Sequence, residues 1–382
     1  MILRTLRLGY FRNHISSTFA FGAGINVFLG DNGHGKTNIL EAISYLCLTK
    51  SFFAASDALV LNIGAGMFEV EGTLTLEHGA DAAVRVAYAG ETREKVFSVN
   101  KRRMEPFSAV IGKFPIVICS PEHAPITSGG PAERRRFIDF VVSQSNTAYV
   151  RELIEYRKIL KHRGKVLLDA RIARRDPGEL LVPWDEKLIE LGSALMVKRS
   201  AFLMEFREFI AAAYRRLVET DESPEIAYDP NVPAGEKRSE ADVRAVFQRE
   251  LARVRSEEIR FGTTLAGPHR DELRFRLNGL DLRSFASQGQ HKTFLVALKI
   301  GEFYYLKQRC GETPLLLLDD VFSELDEQRA HRLLLLSGEL SQTFITSTNS
   351  RLVDELEHSA GELKKFTIRQ GTVVDHEAAV SA

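Results

Sequence analysis

Three glycines, a lysine and a threonine share the stretch GDNGHGKTN, residues 30–38. Gly30 to Thr37 fits the phosphate-gripping pattern G-x-x-x-x-G-K-[ST]. Bare backbone lets N–H groups turn onto phosphate oxygens with no Cβ in the way. On this reading Gly30, Asp31, Asn32, Gly33, His34 and Gly35 hold the phosphates of ATP. Lys36 reaches the β- and γ-phosphates, and the Thr37 hydroxyl ligates Mg²⁺. The plain alternative is a glycine turn with a solvated lysine. The strand pattern INVFLG before the stretch and the helix pattern TNILEAISYLCL after it count against that. That helix would add its unpaired N–H groups and the positive end of its dipole.

The second constellation is PLLLLDDVFSELD, residues 314–326. A parallel strand buried on both faces reads as a continuous apolar run. Two carboxylates directly after such a run are costly to bury unless a cation receives them. Asp319 is thus placed to hold the metal, and Asp320 to orient or deprotonate an attacking water. A helix cap is the alternative reading; a pair of acids in a chain that already carries the glycine loop weakens it.

These residues need a scaffold that brings both stretches to one edge. Residues 1–30 read as strands, and 68–120 alternate as antiparallel strands do: FEVEGTLTLE, AAVRVAYA, KVFSVN and FPIVICS. Lys101, Arg102 and Arg103 read as a turn between two of them. Residues 147–258 take helical spacing with dense charges of both signs, interrupted by the loop TDESPEIAYDPNVPAGEK. Strands return with GLDLRSFA, followed by a helix from about Gln290 to Lys307, the leucine strand, another helix, and TFITSTN. The expected architecture is therefore an α/β head split into 1–146 and 259–382 by a helical insertion at 147–258.

The chain has 382 residues, 44% hydrophobic and 27% charged, with 51 basic and 51 acidic side chains balancing to zero. A neutral total requires any DNA contact to come from local clusters. Lys101, Arg102 and Arg103 form one candidate, and Arg134, Arg135 and Arg136 another. The mixed-charge helix carrying Arg157, Lys158, Lys161, Arg163 and Lys165 reads equally as a solvated face. Cys47, Cys119 and Cys310 are few and far apart, which fits a reducing cytoplasm and small core residues. The first residues are too charged for a signal peptide, and no run of about 18 apolar residues predicts a membrane span.

NGHGKTN is similar to the P-loop of the SMC-like branch of the ABC ATPases, FASQGQHKT to its signature motif in a variant form, and DDVFSELD to its Walker B and D-loop. With FRN at residues 11–13, SPEHAPITSGGPAERRRFID and GPHRDEL at 267–273, the chain resembles the RecF family of bacterial recombination mediators up to about residue 370. The resemblance implies an ABC-type ATPase head with a helical second domain and ATP-dependent dimerisation. It implies binding to gapped and junction DNA, work with RecR and RecO, and RecA loading in repair, replication restart and the SOS response. It makes Ser287, Gln288, Gly289 and Gln290 the signature that completes the opposite subunit's site, Ser323 and Asp326 the D-loop, and Thr346 the switch residue. Ser287 and Gly289 precede a helix and so offer an anion site, although an ordinary capped helix reads the same way.

Arg12 is expected either to touch a phosphate or sugar or to lie on a surface turn. His269 and Arg270 either line a cleft or pair with Asp271. Asp320 stands where many ABC ATPases have glutamate, one methylene longer, so looser water positioning and slow hydrolysis are expected, at or below about 1 s⁻¹. A nucleotide-gated ABC-type scaffold acting on a protein or membrane partner is the rival reading. Asn38, the altered signature and the charged insertion count against it.

Overall fold

The computed structural model describes residues 1–382 except 220, 234, 236–238, 350–361 and 381–382. In chain order the elements are β1 (Ile2–Phe11), β2 (His14–Ala20), β3 (Ile25–Leu29), α1 (Lys36–Leu48), β4 (Met67–Thr75), β5 (Asp81–Ala89), β6 (Glu94–Val99), β7 (Arg102–Arg103) and β8 (Ile116–Cys119). Then come α2 (Pro125–Ser128), α3 (Pro131–Ser145), α4 (Thr147–Ile172), α5 (Val182–Leu217), β9 (Pro224–Asp229), α6 (Glu240–Phe261), β10 (Glu272–Leu277), β11 (Leu280–Asp281) and α7 (Leu282–Phe285). The last are α8 (Gln288–Arg309), β12 (Leu315–Asp319), α9 (Glu327–Leu340), β13 (Thr343–Ser347), β14 (Glu362–Arg369) and β15 (Thr372–Val380).

The chain divides into two compact units. The first takes residues 1–124, 212–221 and 287–382 and contains two sheets. One is antiparallel, in the order β2-β1-β4-β5-β6-β7. Its strands alternate buried and open residues, as in β4, where Phe68, Val70, Gly72 and Leu74 face inward. The other has the order β15-β14-β3-β13-β12-β8, with β14, β3, β13, β12 and β8 mutually parallel. All five residues of β12 are buried, as a strand covered on both faces requires. Between the sheets Phe19, Phe21, Phe28, Phe344 and Phe366 pack edge-on and stacked, with Phe21 and Phe344 centroids 4.9 Å apart. Phe11 and Phe68 of the antiparallel sheet clasp Tyr45 of α1, each at 5.5 Å.

The register of the parallel sheet decides where chemistry can occur. Ser347 pairs with Leu29, and Asp319 with Thr346. The glycine loop, the acid pair and the end of β13 therefore emerge at one carboxyl edge, where open α/β sheets bind ligands.

Three expectations change here. FPIVICS does not join the antiparallel meander; Ile116–Cys119 runs parallel to β12. Four consecutive buried residues suit a strand covered on both faces better than an alternating one. The proline-rich loop contains β9, paired antiparallel with β10 from Pro224↔Leu277 to Asp229↔Glu272. In GLDLRSFA only Leu280–Asp281 is strand, because the Asp281 carboxylate accepts from Ser284 N–H at 3.0 Å and starts α7.

The second unit takes residues 125–211 and 222–286, wider than the expected 147–258. It adds α3 and β10 because their side chains complete its interior. Arg199 of α5, 3% exposed, bonds Asp139 of α3 and Asp271 at 2.8 and 2.9 Å. Arg163 of α4 is fully buried against Glu258 of α6 and Asp185 of α5, at 2.6 and 2.7 Å. Such pairs repay their desolvation only when further hydrogen bonds complete them. Thr264 and Tyr149 supply those bonds, at 2.8 and 3.0 Å.

Candidate nucleotide site

Helix α1 opens at Lys36 behind Gly35, a residue with no side chain to cap it, so its first-turn N–H groups stay available. Gly35 has φ +101°, in the left-handed region. A Cβ there would stand 2.5 Å from Asn13 Oδ1. Asp31, Asn32 and Gly33 are exposed at the loop's crest. Lys36 is buried, and its Nζ donates to the carbonyls of Gly30 and Asp31 at 2.6 and 2.9 Å. Burial lowers its pKa; Asp320, Asp319 and Asp31 oppose that shift.

Thr37 and Asp319 meet directly: Thr37 Oγ1 donates to Asp319 Oδ1 at 2.8 Å. Thr346 Oγ1 donates to the same oxygen at 2.7 Å and accepts from Asp320 N–H at 2.9 Å. Thr346 thus ties both acids to β13. Burial raises the Asp319 pKa, and the two threonine hydroxyls pull it back. Asp320 has φ +49°, a conformation that aspartate tolerates better than most residues. Among the described residues no cluster of three or more His, Cys, Asp or Glu side chains forms a metal site. A hydroxyl and a carboxylate converging from α1 and β12 still make an all-oxygen donor pair, which fits Mg²⁺ with water and phosphate completing its shell.

Known proteins resemble this chain over nearly its whole length. Residues 2–370 match the family model described as the RecF/RecN/SMC N terminal domain. DNA replication and repair protein RecF from Chloroherpeton thalassium is 41% identical over 94% of this chain and 99% of its own length. The protein of that name from Salinibacter ruber is 42% identical over 91% of this chain and 85% of its own. A solved structure described as the recombination mediator protein RecF-ATP in RecFOR pathway superposes with a TM-score of 0.89 at 29% identity, covering 99% of this chain and 98% of that one.

The chain belongs to the RecF family.

The Smc head domain of Pyrococcus furiosus, with a TM-score of 0.58 at 15% identity over 99% of this chain and 96% of that one, shares the fold alone. The RecF-family chain thus has the fold of an Smc head domain.

In this RecF-family chain the other expected site residues fall into different settings. Ser287 and Gln290 form a reciprocal cap on α8: Gln290 N–H donates to Ser287 Oγ at 3.2 Å, and Ser287 N–H to Gln290 Oε1 at 2.8 Å. Within one chain the signature is therefore a capped helix start, with Ser287 and Gln288 exposed and Gly289 partly so. Ser323 Oγ donates to the Asp320 carbonyl at 2.8 Å, and Asp326 caps α9 through Arg329 N–H at 3.0 Å. Arg12 is engaged elsewhere than expected: its guanidinium grips the buried Glu41 carboxylate at 2.7 and 2.9 Å and the Leu59 carbonyl at 2.9 Å.

The basic clusters divide. Lys101 and Arg102 are exposed on the β6–β7 hairpin, where Asn100 and Lys101 both have positive φ, as a tight hairpin turn demands. Arg103 beside them pairs with Glu105 and Glu94 at 2.8 and 3.6 Å. The arginine triplet is corrected. Arg134 is 8% exposed and clamped on Glu272 at 2.9 and 3.0 Å, and Arg135 donates to the Asp271 carbonyl at 2.7 Å. Only Arg136 is well exposed, and Glu133 pairs with it at 2.6 Å. Three adjacent helix positions point 100° apart, so a run in sequence is not a patch in space. His269 and Arg270 do not pair with Asp271, whose carboxylate instead takes Arg199. They bind the Thr264 carbonyl, and His269 also Tyr156 Oη at 2.7 Å.

Five residues without an expected role brace the loop from behind. Asn13 Nδ2 donates to the His34 carbonyl at 3.2 Å, and Asn38 donates to Asn13 Oδ1 at 2.7 Å. His14 Nε2 meets the Gly35 carbonyl at 3.1 Å. Ser17 Oγ donates to the Gly371 carbonyl, and Gly371 N–H to His34, both at 2.9 Å. These bonds occupy the carbonyls of His34 and Gly35, while the first-turn N–H groups of α1 carry no side-chain cap. Asn13 lies in the FRN stretch, one of several that together carry the family resemblance. Gly371 has no local signal, since Ser17, its partner, is 354 positions away.

Proposed function

We propose that this chain is an ATP-switched DNA-repair clamp. It binds ATP at the glycine loop, pairs with a second copy across the nucleotide, and hydrolyses ATP slowly to release that pairing. The observation that carries the reading is the convergence of the Thr37 and Thr346 hydroxyls on one Asp319 carboxylate oxygen beside the lysine-bearing loop. Thr37 and Asp319 would hold Mg²⁺, which neutralises phosphate charge when bound. Lys36 would neutralise the terminal phosphates, and Asp320 would orient water, its backbone steadied by Thr346 and Ser323. The short side chain of Asp320 supports turnover at or below about 1 s⁻¹.

Two chains would enclose two nucleotides, each held by one chain's loop and the other's Ser287 to Gln290. The dimer would engage gapped or junction DNA through backbone phosphates, with Lys101 and Arg102 as the first contacts to test. The RecF relatives, and the RecFOR pathway named for the solved RecF-ATP structure, support a place beside RecR and RecO in loading RecA. Among the described residues no helix is long and apolar enough to cross a membrane.

The test is size-exclusion chromatography with and without ATP, followed by binding of gapped DNA under both conditions. The wild type should dimerise and hold gapped DNA with ATP only, while Lys36→Ala and Ser287→Arg stay monomeric. ATP-independent mass and DNA affinity would overturn the reading.

A further inference from the structure

We infer that Arg329 is a phosphate-contacting residue that each chain donates to the nucleotide of a second copy. This rests on the proposed pairing across the signature.

Arg329 occupies the third position of α9, and its guanidinium reaches the start of α8. An ideal Cβ on Gly289 would lie 3.2 Å from Arg329 Nη1, with Ser287 Oγ next nearest at 3.9 Å. A guanidinium therefore stands against Gly289, at the same helix start that carries Ser287 as its cap. At Gly289 a side chain would press on the arginine, so the bare position suits an arginine seated there.

The guanidinium is also free to act. Its one ion pair among the described residues is with Asp326, at 2.9 Å. Asp326 is 53% exposed and Arg329 26%, so the pair is solvated and cheap to exchange. Arginine carries five donors in a planar fork, and the remaining ones can take phosphate oxygens. The ligand class is the terminal phosphate of a nucleoside triphosphate. The cap and first turn of α8 offer that group a dipole, N–H groups and the Ser287 hydroxyl; Arg329 adds a full positive charge where charge accumulates during transfer. Arginines supplied across an interface commonly act this way.

The test uses the full-length chain, with ATP-dependent dimerisation and phosphate release as readouts. Arg329→Ala should bind ATP as a monomer within about twofold of wild type and melt at the same temperature. Its dimerisation should fall at least tenfold and its turnover about a hundredfold. Arg329→Lys, which keeps the charge, should recover part of both; a role confined to packing predicts no such rescue and a lowered melting temperature. Mixing Arg329→Ala with Lys36→Ala decides which chain's nucleotide is served. The mixed pair holds one site with an intact loop from the first protein and an intact Arg329 from the second, so turnover should exceed the sum of the two alone. No gain on mixing would mean that Arg329 serves its own chain and would overturn the inference, as would Arg329→Ala dimerising like wild type. A wild type that never dimerises with ATP would instead bring down the pairing itself.

Discussion

Thr37 Oγ1 and Asp319 Oδ1 lie 2.8 Å apart across 282 positions of chain. One comes from the helix that follows the glycine loop, the other from the end of the leucine strand. Asp319→Asn keeps the shape and removes the charge that burial opposes. Its melting temperature should equal or exceed that of wild type, while Mg²⁺-dependent phosphate release falls at least about a hundredfold. Near-normal release from a folded Asp319→Asn protein would remove the metal role.

The bracing of the loop predicts losses of binding without contact to the ligand. Asn13→Ala leaves the His34 carbonyl with Gly371 N–H alone and frees Asn38, and should weaken nucleotide affinity about tenfold, the equivalent of one or two hydrogen bonds. Gly35→Ala should abolish binding, because φ +101° and the clash with Asn13 act together. Titration with a fluorescent ATP analogue measures both; wild-type affinity in Asn13→Ala would show the brace to be idle.

Arg134 and Lys101 should behave as opposites. Arg134→Ala leaves Glu272 without its clamp and should cost about 2–3 kcal/mol of stability, read by urea unfolding. The pair Lys101→Ala and Arg102→Ala should leave stability unchanged and lower the salt slope of DNA binding by roughly one per residue. A slope that moves with Arg136→Ala instead would relocate the interface to α3.

Stability of the second unit should depend on pH through His269. Burial pushes its pKa down to about 4, with the nearby arginines Arg270, Arg135 and Arg163 adding to the effect and the Thr264 carbonyl opposing it. The folded chain keeps the ring neutral, whereas the unfolded chain protonates it near pH 6.5. Its contribution is complete above pH 6.5 and is lost as pH falls from there towards 4, by at most about 3 kcal/mol. Melting curves of wild type and His269→Gln should converge over that window. Parallel curves would assign the acid sensitivity to other groups.

Read alone, the sequence disclosed the parts whose chemistry is local. The glycine loop is legible because N–H groups, a lysine and a hydroxyl must follow one another at set spacing to grip phosphate. The acid pair is legible because two carboxylates after four leucines demand a cation. What the tertiary structure decided is pairing across distance. Thr346 tying Asp319 to Asp320, Asn13 and Gly371 holding the loop's carbonyls, Arg199 rather than His269 meeting Asp271, and Arg134 turned inward to Glu272 all depend on which strand lies beside which. Register and helix phase set those neighbours, and both arise from burial summed over the whole chain. A charge in sequence therefore announces its type but not its partner. That is why the loop and the acids could be read in advance, whereas the residues that brace them, and the inward turn of Arg134 and Arg135, could not.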